Sequence, residues 1–68
     1  MKKQAAPHNF VVEAYEKVGG IYQAVAIMRV SPETARKYGR QGKILLAEAA
    51  MRLSQASGIP IEKFIGGG

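Results

Sequence analysis

The stretch IYQAVAIMRVSPETARKYGR, residues 21–40, holds two helix-like segments on either side of a break at Ser31 and Pro32. A residue before proline avoids helical geometry, serine caps a helix well, and proline suits the first helical position. The sequence therefore predicts one helix over residues 21–29 and another from residue 32 to about 38 or 40. Apolar residues of the first helix recur at intervals of three and four, which is typical of a buried face: Ile21, Ala24, Val25 and Met28.

Positive charge is concentrated in the second of these helices and in the residues that flank it. Residues 29–43 contain one acidic residue, Glu33, and five basic ones: Arg29, Arg36, Lys37, Arg40 and Lys43. Four of the chain's five net positive charges therefore lie in this short segment. Basic charge by itself is typical of proteins that bind nucleic acid, an acidic membrane face or an acidic partner.

The apolar positions of the two helices meet the packing requirements of a helix-turn-helix. Ala24 and Val25 are small enough for a close helix crossing, and Val30 can anchor the turn in the core. Ala35 and Tyr38 lie three residues apart and can both face inward. In such a pair the second helix lies in the major groove of DNA, and the first braces it across the backbone. We therefore interpret the basic face as one that meets phosphates and base edges.

Further helices are predicted on both sides of this pair. Asn9 can cap a helix over Phe10–Val18, which ends at two glycines. An alanine- and leucine-rich helix is predicted over Ile44–Ser57, and a last helical turn over Pro60–Ile65. The long helix should bury one face that includes Leu45, Ala49 and Leu53. No strand pattern appears, so the sequence predicts a small all-α domain of four to five helices.

The ends of the chain differ in composition from the helical region. Residues 9–65 are predicted to form the domain, residues 1–8 a flexible basic arm, and residues 66–68 a flexible glycine tail. A basic arm of this kind can touch phosphate, whereas the simpler expectation is disorder.

Length and composition limit what the chain can do. Its 68 residues make one domain, and 47% hydrophobic content argues against disorder. The absence of cysteine excludes disulfides and thiolate zinc sites. The lone histidine, His8, has no metal site to join, and Glu13 and Glu16 suit a helix surface better than a catalytic pair. We therefore expect a protein that is not an enzyme and binds no cofactor or small-molecule ligand. Met28 and Met51 are expected to lie in the core. No apolar run is long enough to cross a membrane, so we expect a cytoplasmic protein.

The segment GGIYQAVAIMRVSPETARKYGRQGKI, residues 19–44, resembles the helix-turn-helix of small phage repressors of the Cro type and of prophage Cro-like regulators. The run GKILLAEAAMRLSQASGIPIEKF, residues 42–64, is similar to the segment that follows the motif in helical members. The resemblance implies a λ-repressor-like DNA-binding architecture and a homodimeric repressor on a palindromic operator. Arg29 stands where the family usually has a glycine, and Tyr38 replaces a commoner tryptophan. Whether Arg29 or the next residue makes the turn stays open.

Base readout is expected from the helix that follows the turn. Arg36 and Lys37 suit guanine O6 and N7 or a nearby phosphate, and Glu33 can accept a hydrogen bond from cytosine N4. Ser31 and Thr34 can donate to a phosphate or touch a thymine methyl.

Backbone contacts are expected from the flanking residues. Arg40 and Lys43 should bind phosphates, and Tyr22 and Gln23 at the start of the preceding helix can hold another. The full set of residues expected to contact double-stranded DNA is Tyr22, Gln23, Ser31, Pro32, Glu33, Thr34, Arg36, Lys37, Arg40 and Lys43.

Several alternatives remain at the level of sequence. The chain can be a small adaptor that grips an acidic protein surface, or an excisionase-type or architectural DNA binder that bends DNA. A dimer is expected through the fourth helix or through Ile59–Ile65, although these apolar residues can instead close the core of the monomer.

Overall fold

The computed structural model describes residues 8–65 and contains five helices over that range. Residues 1–7 of the predicted arm and residues 66–68 of the predicted tail lie outside the described residues. The helices are α1 (Phe10–Lys17), α2 (Ile21–Met28), α3 (Pro32–Gln41), α4 (Ala47–Ser57) and α5 (Glu62–Ile65). Between residues 8 and 65 there is no strand, so the all-α prediction is confirmed.

The predicted caps fix the starts of α1 and α3. The Asn9 side-chain oxygen accepts a hydrogen bond from the Val12 N–H at 3.1 Å. The Ser31 hydroxyl oxygen accepts a hydrogen bond from the Thr34 N–H at 3.2 Å. Pro32 occupies the first turn of α3, where the helix does not need the N–H that proline lacks. α1 and α3 therefore begin at the predicted residues. In each, the capping side chain accepts a hydrogen bond from a backbone N–H of the first turn, which has no partner within the helix.

The predicted start of the fourth helix is wrong by three residues. α4 begins at Ala47, and residues 44–46 are not helical. The Ile44 side chain is buried in the core, and its N–H donates to the Phe64 carbonyl oxygen in α5 at 2.9 Å. This tertiary bond and burial outweigh the helix propensity of the segment. The last helix likewise begins at Glu62, after a turn in which the Pro60 carbonyl accepts from Lys63.

The core lies around α2, which packs against α1, α3 and α4. The largest fully buried side chains are those of Val11, Met28, Ile44, Leu53 and Phe64. Two of the four residues on the predicted buried face of α2, Ala24 and Met28, are fully buried. The other two, Ile21 and Val25, are half-buried and pack against the core. α3 packs on α1 and α2 but on neither α4 nor α5, which leaves its other side open among the described helices.

Two predicted core residues lie at the surface. Leu45 is 65% exposed and Met51 is 51% exposed, so both predictions are wrong. Leu45 lies in the non-helical segment before Ala47, so it leaves the face that it would share with Ala49 and Leu53 in a longer helix. Met51 lies about 200° around the α4 axis from Ala49, on the side away from the buried residues of this helix. Within residues 8–65, every helix is too short or too polar to cross a membrane.

Candidate nucleic-acid interface

The turn between α2 and α3 is made by Arg29. Its backbone is left-handed, with φ 60° and ψ 47°, and its N–H donates to the Val25 carbonyl oxygen at 2.8 Å. This geometry closes α2 in the way that a glycine usually does, and it costs a residue with a Cβ about 1–2 kcal/mol. The turn therefore occurs at Arg29 and not one residue later, which settles the question that the sequence left open. Val30 follows and packs half-buried against the core, as predicted.

The inner face of α3 is held by packing and by two hydrogen bonds, one from α1 and one from the N-cap of α1. Ala35 and Tyr38 are buried, as predicted. The Tyr15 hydroxyl donates to the Ala35 carbonyl oxygen at 2.7 Å, and the Asn9 amide donates to the Gly39 carbonyl oxygen at 2.7 Å. Burial, with a smaller contribution from Tyr38, raises the pKa of Tyr15 to about 12, so the hydroxyl keeps its proton. These contacts fix the rotation of α3 about its axis.

The outer face of α3 carries the residues expected to meet DNA. Thr34 is half-buried, and the others on this helix and its cap are exposed: Ser31, Pro32, Glu33, Arg36, Lys37 and Arg40. The Ser31 and Thr34 hydroxyl oxygens lie 2.9 Å apart, so both groups already take part in the N-terminal cap of α3. Lys43 is exposed just beyond the C-cap Gly42.

Glu33 lies on the same face, but within residues 8–65 no carboxylate forms an ion pair with the basic side chains of α3. The one ion pair between residues 8 and 65 joins His8 and Glu13 at the start of α1. Arg36, Lys37 and Arg40 therefore present their charge to solvent, where a phosphate or another anion can reach it.

The start of α2 adds free donors to the surface. Tyr22 is 68% exposed, and Gln23 is also exposed. Gly20 is the N-cap, and no side chain of residues 8–65 caps α2, whose first turn holds no acidic residue. The first N–H groups of a helix without a cap favour an anion. This position is consistent with the phosphate contact expected from Tyr22 and Gln23.

A groove joins the start of α2 to the basic side of α3. Its volume is about 360 Å³, its lining is mainly apolar, and it is widely open to solvent. The residues that line it come from three helices: Val12, Tyr15, Ile21, Arg36, Gly39 and Arg40. The sequence pattern does not predict this groove. The available signal was Gly39, a glycine inside a helical pattern with no turn to explain it.

Comparison with known protein families, curated proteins and solved structures finds no match to this chain. Its function is therefore inferred from the charge, exposure and geometry of its own residues.

Proposed function

We propose that the protein is a sequence-specific DNA-binding regulator, a Cro-like repressor whose α2 and α3 form a helix-turn-helix. One observation carries the proposal: one face of α3 packs on the core, and on the other face Arg36, Lys37 and Arg40 form no ion pair with any residue between 8 and 65. In this arrangement α3 enters the major groove, and α2 crosses the backbone with its uncapped N-terminus near a phosphate.

The proposed contacts divide by position along α3. Arg36 and Lys37 read guanine edges, and Glu33 selects cytosine, since these side chains leave the exposed face in the first two turns. Arg40 and Lys43 lie at the far end and bind phosphates, which adds affinity without sequence preference. Ser31 and Thr34 act mainly through the cap, with a hydroxyl proton left for a phosphate.

A homodimer supplies the second half of the site. Two recognition helices about 34 Å apart reach successive major grooves. Leu45, Leu46 and Met51 are exposed around the start of α4, a helix that does not pack on α3. Ile59 and Phe64 of the other proposed interface are buried in the monomer, which leaves Ile65 as its large exposed apolar residue. We therefore place the dimer contact at the start of α4, in a cytoplasmic protein that needs no cofactor.

Selection from random-sequence duplex DNA, followed by sequencing at two salt concentrations, tests the proposal. A symmetric enriched motif with half-sites one helical turn apart supports a dimeric operator-binding regulator. Salt-sensitive binding without a motif, together with DNA bending, would instead favour an excisionase-type or architectural binder. The absence of DNA binding at low salt would reject both the regulator and the architectural binder, and it would favour an adaptor that grips an acidic protein surface.

A further inference from the structure

The groove between α1, the start of α2 and α3 combines an apolar floor with a positively charged rim. Val12, Tyr15 and Ile21 supply apolar surface, and Val12 is 40% exposed although it is a large aliphatic side chain. Arg36 and Arg40 lie one helical turn apart on the α3 side. No carboxylate of residues 8–65 pairs with either guanidinium group. The groove therefore offers apolar contact and two free cations to one ligand.

Gly39 keeps the groove open. It sits inside α3 without a positive φ, so the backbone does not require a glycine there. A Cβ at this position would lie 3.4 Å from Tyr15 Cε2 and 3.9 Å from Val12 Cγ2, ordinary contact distances to two groove residues. The space can hold a methyl group, yet the helix leaves it empty despite the cost of glycine in a helix.

We propose that this groove binds an acidic segment of a partner protein through one aromatic or large aliphatic side chain, and that the bound segment excludes DNA. The apolar side chain lies on Val12 and Tyr15, while flanking carboxylates pair with Arg36 and Arg40. A guanidinium group can also stack on an aromatic ring held between them. The exclusion of DNA rests on the proposed function, because it requires that the same two arginines contact the operator.

Shape and charge favour a protein segment over a small molecule. Sites for small molecules usually enclose most of the ligand surface, whereas this groove is widely open to solvent. The positive charge also extends past the groove to Lys37 and Lys43, farther than a small carboxylate can reach. A short peptide can place one side chain in the groove and several carboxylates along this face.

The test uses the full chain and a pentapeptide with a central tryptophan and two glutamates on each side. The chain has no tryptophan, so the peptide's own fluorescence reports binding without an added label. One control peptide has serine at the centre and is measured by competition, and another has glutamine in place of every glutamate. We expect the tryptophan–glutamate peptide to bind at least about tenfold more tightly than either control. Equal affinity of the tryptophan and serine peptides would overturn the proposed use of the groove, since charge alone would then explain the binding.

Variants of the groove separate it from the basic face in general. Gly39→Ala adds a methyl group to the groove floor, and Val12→Thr replaces a methyl group by a hydroxyl of similar size. Each variant should lower the affinity for the peptide by about fivefold. Lys63→Gln removes one charge from α5, which does not pack on α3, and should leave binding unchanged. Wild-type affinity in both groove variants would contradict the proposal. Binding of 2-naphthoate as tight as that of the peptide would overturn the assignment to a protein segment.

The peptide titration contains no DNA, so its failure leaves the proposed function untouched. Failure of the DNA selection likewise leaves peptide binding as a separate result. Where both succeed, the selected duplex should displace the peptide in proportion to its occupancy. A ternary complex of protein, duplex and peptide would overturn the exclusion of DNA.

Discussion

The Tyr15 hydroxyl in α1 donates a hydrogen bond to the main-chain carbonyl oxygen of Ala35 in α3, with 2.7 Å between the two oxygens. Both residues are buried, and the bond joins positions twenty residues apart in sequence. α3 has only α1 and α2 as packing partners among the described helices. The bond therefore helps to set which residues of α3 face outward.

Replacing Tyr15 by phenylalanine should lower the free energy of unfolding by about 1 kcal/mol, because the ring still packs but the hydrogen bond is lost. The same change should alter how the free energy of unfolding depends on pH in the alkaline range. Burial raises the pKa of Tyr15 to about 12 in the folded state, against about 10 in the unfolded chain. The unfolded state then releases its proton first, so stability present below pH 10 is lost as the pH rises through about 12.

Urea titrations of both proteins at several pH values between neutral and 12 measure this effect. The loss in the wild type should exceed the loss in Tyr15→Phe by ~2–3 kcal/mol, because only the wild type has the Tyr15 hydroxyl, whose pKa rises from 10.0 to about 12 on folding. Parallel pH profiles for the two proteins would show that folding does not raise the pKa of Tyr15.

A second prediction concerns the left-handed turn at Arg29. Arg29→Gly and Arg29→Ala remove the same exposed charge, yet only glycine adopts φ 60° without strain. The glycine variant should be the more stable of the two by about 1 kcal/mol in chemical denaturation. If alanine were equally stable, the turn would relax to another geometry, and the orientation of α3 would not depend on it.

The caps and the apolar spacing made much of the fold predictable from the sequence. Asn9, Ser31 and Pro32 act on neighbours within three residues, so local rules placed the starts of α1 and α3 correctly. Ala35 and Tyr38 were correctly placed in the core, because helical spacing sets the direction of each side chain.

Features that depend on distant residues were not predictable in the same way. The start of α4 depends on the bond between Ile44 and Phe64, and the resulting non-helical residues 44–46 leave Leu45 at the surface. The groove depends on Val12 of α1 meeting Gly39 of α3. A glycine inside a helical pattern is a local signal, but the residue that it meets is set by the packing of α1 on α3. The residues expected to contact DNA lie on α2, on α3 or next to α3, and all are exposed except the half-buried Thr34, but their binding role stays a prediction.

The third prediction separates base contacts from phosphate contacts. Arg36→Ala and Lys37→Ala should relax the selected motif at single positions and cost ~1–3 kcal/mol of discrimination each. Arg40→Ala and Lys43→Ala should weaken all sequences alike and lower the salt slope by about 1 each. Lys63→Gln serves as the charge-matched control, because α5 does not pack on α3. Uniform loss in all four variants, with the motif intact, would argue against base readout by α3.

The fourth prediction tests the proposed dimer contact. Sedimentation equilibrium should show a dimer that Leu46→Glu and Met51→Glu convert to monomer, since each places a charge on the exposed apolar surface around the start of α4. Ile65→Glu adds the same charge to the alternative C-terminal surface and should leave the dimer intact. The reverse pattern would move the interface to α5, and a monomer at every concentration would remove the dimer from the proposal.

The fifth prediction compares Gly39 inside α3 with Gly42 at its C-cap, which differ in backbone geometry. Gly39 has helical geometry, and an added Cβ meets Tyr15 and Val12 at ordinary distances. Gly39→Ala should therefore raise the free energy of unfolding by ~0.5–1 kcal/mol. Gly42 has φ 75° at the C-cap, so Gly42→Ala should lower it by about 1 kcal/mol.

Thermal and urea denaturation of the two variants give the comparison. Opposite signs would show that Gly39 is not needed for folding, and its presence would then be consistent with keeping the groove open for a ligand. Destabilisation by Gly39→Ala would instead mean that Tyr15 cannot yield at 3.4 Å, and that glycine serves the close packing of α1 on α3.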